Sequence, residues 1–293
     1  MKVEKIITWL DETLKVADFD DVSNNGLQVD RLSASEIGQS ADRQISNLES
    51  QILNRGIEES NNRTVSTVAF AVDASVRAVE AAAKAGAELL VVHHGISWGG
   101  GVKRVTGGVG RVVRAAIEND VAIYACHLPL DAHSTLGNNA QLAKILGLKR
   151  VKPAFNYHGN VIGLVGNCSI VRLFRLFDCL NMQQTTRENL MTALRHSNRT
   201  IEQSEQSNNL KIGLCSGGAG EFAEEAKRLG CDLYLTGEAS WGDVIAAENC
   251  DMKMLCLGHY ETEVWGVRAV AKAMKRALKV KTVDLTETLR PNA

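Results

Sequence analysis

The stretch STVAFAVDASVRAVEAAAKAGAELLVVHHG, residues 66–95, contains two apolar runs joined by an alanine-rich segment. The first run ends at Asp73, and the second ends at two adjacent histidines, His93 and His94. The alanine-rich segment has the composition of a helix, and Ser75 is suited to cap its start. A strand, a helix and a second strand in this order predict a parallel βαβ unit.

The same alternation of apolar runs and helical segments appears again in the second half of the chain. In each half, the third apolar run is followed by a histidine and, four residues later, an acid. These pairs are His127 with Asp131 and His259 with Glu263. The matching positions lie about 130 to 145 residues apart, a separation that indicates an internal duplication. We therefore predict an α/β fold made of two similar units.

The predicted units divide the chain at one boundary and contain one insertion. The first unit covers residues 1–153 and the second covers residues 154–293. Residues at about 33–62 are rich in polar side chains and sparse in apolar ones, so we predict a polar insertion in the first unit.

The charge balance and the cysteines exclude several classes of protein. Lys and Arg total 33 and Asp and Glu total 34, so the net charge of -1 argues against nucleic acid as a partner. No apolar stretch has the roughly 18 residues that a membrane span needs. The seven cysteines are an odd number without a CxxC pair, which predicts free thiols in a reducing compartment, the cytoplasm.

The ends of the predicted strands carry a concentration of side chains that bind metals. In open α/β sheets, ligands bind outside the carboxyl ends of the strands. Four of the seven histidines and three acids fall at such ends: His93, His94, His127, Asp131, Glu238, His259 and Glu263. Nitrogen and oxygen ligands of this kind suit Zn, Mn, Fe, Ni or Co. A carboxylate in such a set can bridge two ions.

The spacing of these residues leaves part of their local structure open. His93 and His94 would point to opposite faces of a regular strand, but a strand end lets both rings converge. His259 and Glu263 share one face if a helix begins there. For His127 and Asp131, Pro129 favours an extended turn.

Three other features have both a functional and a structural interpretation. Gly218, Gly220 and Ala223 match a dinucleotide fingerprint, with Glu238 as its acid, but a tight turn before a helix explains them as well. The glycine-rich loop at 99–111 carries cations that suit an anionic substrate or simply face solvent: Lys103, Arg104 and Arg111. Three tryptophans near the strand ends are candidate pocket walls or ordinary core residues: Trp98, Trp241 and Trp265.

Three motifs in order make the chain resemble a known family. They are HHG-x-x-W from His93, CHLPLDAH followed by LGNNAQLA, and GH-x-x-x-E ending at Glu263. Together with NNGLQV near the start, they are similar to the NIF3-like (DUF34) dinuclear-metal proteins, whose bacterial members are labelled GTP cyclohydrolase 1 type 2 homologues. The resemblance covers about residues 1–30 and 65–290. It implies two similar α/β units and a toroidal homohexamer whose metal sites face an internal cavity.

The resemblance also implies a role for each matching residue. His93 and His94 would each bind one of two divalent ions. Asp131 would bind one ion, His259 the other, and Glu263 would bridge both. His127 would donate or accept a proton.

This ligand set predicts metal-assisted hydrolysis of a small molecule, with His127 or Glu238 moving a proton. The family label suggests that the substrate is GTP, whose purine ring would open with loss of formate. Two alternatives from other classes are a metal-binding scaffold or interaction protein without turnover and an oxidoreductase that uses a dinucleotide.

Overall fold

The computed structural model describes residues 1–31, 64–180 and 209–291. The described chain forms two compact units, which consist of Met1–Pro129 with Val270–Ala293 and of Leu130–Ala269. We call them unit 1 and unit 2. The predicted polar insertion at about 33–62 lies outside the described residues.

Unit 1 is built on a five-stranded sheet in the order β1-β4-β3-β2-β10. Its strands are β1 (Gly26–Val29), β2 (Thr67–Asp73), β3 (Leu89–His94), β4 (Ala122–Ala125) and β10 (Lys281–Asp284). Strands β4, β3, β2 and β10 are parallel, and β1 pairs with β4 in the antiparallel sense. Its helices are α1 (Val3–Leu14), α2 (Val76–Lys84), α3 (Gly107–Glu118) and α10 (Thr286–Leu289).

The core of unit 1 lies between the central strands and helices α2 and α3. Six of the seven residues of β2 are buried, as expected of a parallel strand covered on both faces. Small side chains such as Ala78 and Ala82 pack α2 against apolar strand residues such as Leu90. The alanine-rich segment is therefore a helix that lies close to the sheet.

Unit 2 is built on a second five-stranded sheet in the order β5-β6-β7-β8-β9. Its strands are β5 (Lys149–Tyr157), β6 (Asn160–Ser169), β7 (Asn209–Gly218), β8 (Leu233–Glu238) and β9 (Met254–Cys256). Strands β7, β8 and β9 are parallel, and β5 and β6 add an antiparallel hairpin. Four of its helices are α5 (Asn138–Leu146), α6 (Ile170–Cys179), α7 (Ala223–Arg228) and α8 (Trp241–Asn249).

Two helices contain the boundaries between the units. Helix α4 covers Leu128–Ala132 and α9 covers His259–Leu278. The expectation of an extended turn at Pro129 is therefore wrong. Pro129 lies in the first turn of α4, where its missing N–H leaves no intrahelical hydrogen bond unmade.

Each unit thus contains three consecutive parallel strands joined by helices, and the predicted α/β fold with two similar units is confirmed. The predicted boundary at residues 153 and 154 falls within β5 and stays a prediction about the duplicated sequence. All seven cysteines are free thiols. Within residues 1–31, 64–180 and 209–291, none of the helices has both the length and the apolar character to span a bilayer.

The start of α2 provides a test of the local analysis. The Ser75 hydroxyl accepts a hydrogen bond from the Ala78 amide at 3.1 Å. Replacing Ser75 with alanine removes this cap, so we expect a loss of about 1 kcal/mol in the free energy of unfolding, measured by urea denaturation. Thr106 is the matched control, because in the described chain its side chain makes no cap hydrogen bond to α3. Equal losses in Ser75→Ala and Thr106→Ala would contradict the assignment of the cap.

Candidate metal centre

Three histidines of unit 1 lie together at the carboxyl ends of neighbouring parallel strands. His93 and His94 end β3, and His127 follows β4 after one residue. One ring nitrogen of each lies within 4.8 Å of one ring nitrogen of each of the others. The ring centroid of His93 is 4.6 Å from that of His94 and 5.1 Å from that of His127. Both adjacent histidines therefore join one cluster, because the strand ends at that point.

An oxygen atom lies at hydrogen-bond distance from the Nδ1 of each histidine in this cluster. His93 Nδ1 is 3.0 Å from the carbonyl oxygen of Cys126, and His94 Nδ1 is 2.8 Å from Oδ1 of Asp73. His127 Nδ1 is 2.9 Å from Oδ1 of Asp21. An oxygen partner requires a proton on Nδ1, so each neutral imidazole has its lone pair on Nε2. Neutral imidazoles held in this way are typical of histidines that bind metals.

Among these oxygen partners, the carboxylate of Asp21 takes part in four hydrogen bonds. Its side chain is 1% exposed. Besides His127 Nδ1, its carboxylate accepts hydrogen bonds from the Ser23 and Leu128 amides and from the Asn25 side chain. Burial alone would raise the pKa of Asp21, but its hydrogen bond with His127, together with the other donors, holds that pKa below its usual value. Asp21 is therefore an ionised, buried acceptor at neutral pH.

Unit 2 holds the other candidate ligands on three elements. Asp131 lies on α4, Glu238 ends β8, and His259 and Glu263 lie one turn apart at the start of α9. Asp131 and Glu263 are 6% and 3% exposed, and a carboxylate oxygen of one lies within 4.8 Å of one of the other. Two buried carboxylates at this separation repel each other unless a cation lies between them.

His259 faces a carboxylate on each side of its ring. Its Nδ1 is 2.8 Å from Oε2 of Glu238, and its Nε2 is 3.3 Å from Oε1 of Glu263. With the proton on Nδ1, the lone pair of Nε2 faces a carboxylate oxygen. Two acceptors this close need a shared cation, which is a second proton or a metal ion.

Neighbouring polar groups hold the carboxylate of Asp131 in place. Its Oδ1 accepts hydrogen bonds from the Ser216 hydroxyl at 2.8 Å and from the Asn138 side chain at 2.9 Å. Asn138 in turn accepts a hydrogen bond from the Gly266 amide at 2.7 Å. The carboxylate is therefore oriented by donors from two other elements and by a helix backbone.

Gly217 makes room for the carboxylate of Glu263. A Cβ at position 217 would overlap with Oε1 of Glu263, and the φ of 68° at this residue is one that glycine adopts readily. The glycine-rich end of β7 therefore packs directly against a buried acid.

Gly220 of the dinucleotide-like motif has a packing role as well. A Cβ at Gly220 would lie 2.6 Å from Cβ of Ala239 and 2.8 Å from Oδ2 of Asp243. Glu238, the acid that the fingerprint requires, is hydrogen-bonded to His259. Close packing therefore accounts for the glycine at position 220.

The surroundings of Cys215 and Cys256 disfavour ionisation of their thiols. Burial, with Asp131 close by, raises the pKa of Cys215 well above its usual value. Burial, with Glu238 and Asp243 nearby, also raises the pKa of Cys256. Without a bound metal ion, both thiols are therefore protonated near neutral pH. The donor set is imidazole and carboxylate, which fits a divalent transition-metal ion.

The fold and these side chains define a class: an α/β protein with two similar sheets and histidine–carboxylate groups that could hold metal ions at the strand ends. The profile of the family described as Duf34/NIF3 (NGG1p interacting factor 3) matches residues 44–290. The chain belongs to this family, and the predicted family is confirmed.

Curated relatives extend over nearly the whole chain. A protein of Pyrococcus horikoshii named GTP cyclohydrolase 1 type 2 homolog is 34% identical over 283 residues, which are 97% of each chain. A protein of the same name from Deinococcus radiodurans is 34% identical and aligns over 92% of this chain and 86% of its own.

Solved structures share the fold. A protein of Thermus thermophilus is 25% identical, with a TM-score of 0.70 and full coverage of both chains. A Bacillus cereus protein described as related to NIF3 has a TM-score of 0.65 at 14% identity, covers 96% of this chain and 95% of its own, and supports the fold alone.

The buried carboxylate of Asp21 yields a prediction about stability and pH. In Asp21→Asn the amide leaves at least one buried donor without its acceptor, so we expect the free energy of unfolding to fall by about 3 kcal/mol at pH 7. Because the pKa of Asp21 is lower in the folded state, its contribution is fully present above about pH 5. That contribution disappears as the pH falls below the usual aspartate pKa of about 3.9.

Urea denaturation at a series of pH values measures this difference between wild type and variant. Asp18→Asn is the control, because Asp18 is exposed and lies three residues away, and it should change stability by no more than about 0.5 kcal/mol. A difference for Asp21→Asn that grows as the pH falls would show that the sign of the pKa shift is wrong.

Proposed function

We propose that this protein is a hydrolase that depends on two divalent metal ions. The residues proposed to hold them are His93, His94, Asp131, His259 and Glu263, as the motifs imply. The observation that carries the proposal is the pair of buried carboxylates, Asp131 and Glu263, within 4.8 Å of each other. A bound cation would offset the repulsion between two such carboxylates. The oriented imidazoles of unit 1 are nitrogen donors of the kind that divalent transition-metal ions bind.

The ions, when bound, would lower the pKa of water and polarise the bond to be broken. The chain's own residues hold and move protons. His127 is the proposed proton acceptor, because Asp21 holds the proton of its imidazole on Nδ1 and leaves the lone pair on Nε2. Glu238 is the proposed orienting group for His259, to whose Nδ1 it is hydrogen-bonded.

The names of the relatives support GTP as the proposed substrate. In the proposed reaction, a first water opens the imidazole ring of the purine at C8 and leaves an N-formyl group. A second water cleaves that group and releases formate, so the nucleotide product is a diaminopyrimidine. The homohexamer that the family resemblance implies and the cytoplasmic location that the cysteines suggest belong to the same proposal.

Glu263→Ala tests the metal and the reaction together. We expect about two ions per chain in wild type, by elemental analysis of protein purified without added metal, and a sharp drop in the variant. With metal restored, wild type should release formate from GTP, and Glu263→Ala should release at least a hundredfold less.

Glu261→Ala is the matched control, because Glu261 is an acid on the same turn of α9. It should keep both the metal content and the formate release of wild type. If wild type binds metal but releases no formate, the result favours the scaffold alternative. If wild type binds no metal even after incubation with Mn, Zn and Fe salts, the hydrolase proposal is excluded.

A further inference from the structure

Trp98 is an exposed indole beside the three histidines of unit 1. It is 40% exposed. Its ring centroid lies 5.1 Å from that of His127, with the two rings nearly edge to face at 74°, and 6.1 Å from that of His94. One part of the indole is therefore packed against the imidazoles while another part stays open to solvent.

The loop that carries Trp98 is held in place by the chain around residues 22–28. The Asn24 amide donates to the Ser97 carbonyl at 3.1 Å, and the Asn24 side chain donates to the Ser97 hydroxyl at 2.8 Å. The remaining hydrogen bonds to this segment join Gly99 to Val22 at 2.6 Å and Ile96 to the Gln28 side chain at 2.6 Å.

The indole itself is also fixed by a hydrogen bond. Its Nε1 donates to the carbonyl oxygen of Gly95 at 3.0 Å. A Cβ at Gly95 would overlap with the side chain of Gln28, so the loop depends on a glycine at that point. An aromatic side chain held in one orientation before a ligand arrives loses little conformational entropy on binding.

The loop continues with cationic side chains that face solvent. Lys103 and Arg104 are both exposed, five and six residues after Trp98. A flat aromatic surface, followed in the same loop by exposed cations, suits a planar ring that carries an anionic group.

We propose that Trp98 is the stacking surface for a planar heteroaromatic ring of the substrate, and thereby the residue that sets the substrate class of the site. This inference rests on the proposed function only for its location at the candidate metal centre. A ring stacked on Trp98 lies beside His127, the proposed proton acceptor. Stacking accepts any planar heterocycle, so the preference is for a class of ring and not for guanine alone.

The test compares ligands with and without a ring on the metal-loaded full chain. Equilibrium dissociation constants are measured for GTP, ATP, UTP and inorganic tripolyphosphate by isothermal titration calorimetry. We expect the nucleotides to bind more tightly than tripolyphosphate. Trp98→Ala should weaken nucleotide binding about tenfold to a hundredfold, as loss of stacking does elsewhere, and leave tripolyphosphate binding unchanged.

Two further variants separate stacking from structural effects. Trp98→Phe keeps a flat ring and should restore most of the nucleotide affinity. Trp241→Ala removes a tryptophan that is 78% exposed at the start of α8, and it should have no effect on either class of ligand. The metal content of each variant is measured in parallel and should equal that of wild type.

Several results would overturn the inference. They are equal weakening of nucleotides and tripolyphosphate in Trp98→Ala, no weakening at all, or no preference of wild type for ligands with a ring. If only the proposed function fails, nucleotide binding still depends on Trp98 but wild type releases no formate from GTP. Formate release that is unaffected by Trp98→Ala would overturn the inference and leave the hydrolase standing.

Discussion

The hydrogen bond between a histidine Nδ1 and an oxygen acceptor is the interaction on which the candidate site depends. It recurs at four histidines, with Cys126, Asp73, Asp21 and Glu238 as the four partners. Each bond places the proton on Nδ1 and the lone pair on Nε2. A free imidazole exchanges between both tautomers, whereas these four present one donor atom in one direction.

The parallel sheets deliver these partners to one end of each unit. In unit 1, the carboxyl ends of β2, β3 and β4 bring Asp73, the two adjacent histidines and His127 to the same edge. In unit 2, the ends of β7 and β8 meet the start of α9, so that Gly217, Glu238 and His259 are neighbours. A strand end is the place where a buried strand can offer polar side chains without placing charges inside the core.

Much of this arrangement could be predicted from the sequence, because apolar runs end visibly at polar residues. The βαβ units and the seven residues at strand ends follow from such local patterns. Asp21 could not be found in this way, because it lies 106 residues from His127 in the chain and only the fold brings the two together. The role of Gly217 could not be predicted either, because this glycine leaves space for the side chain of Glu263, which lies on a helix distant in the sequence.

The error at Pro129 has a similar cause. Proline is disfavoured in the interior of a helix but is tolerated in its first turn. The sequence alone does not show at which residue that first turn begins. The prediction for the backbone between His127 and Asp131 is therefore wrong, because Pro129 lies in a helix and is not the sign of an extended turn. The conformation of α4 depends on donors and acceptors that other segments supply, such as Asp21 for the Leu128 amide.

The most direct test of the account is a crystal structure of the metal-loaded protein with anomalous scattering measured at the metal edge. The account predicts ions bound through Nε2 of His93, His94 and His259, with each Nδ1 still hydrogen-bonded to its oxygen partner. Ions bound through Nδ1, or a loaded protein whose ions avoid these histidines, would contradict it.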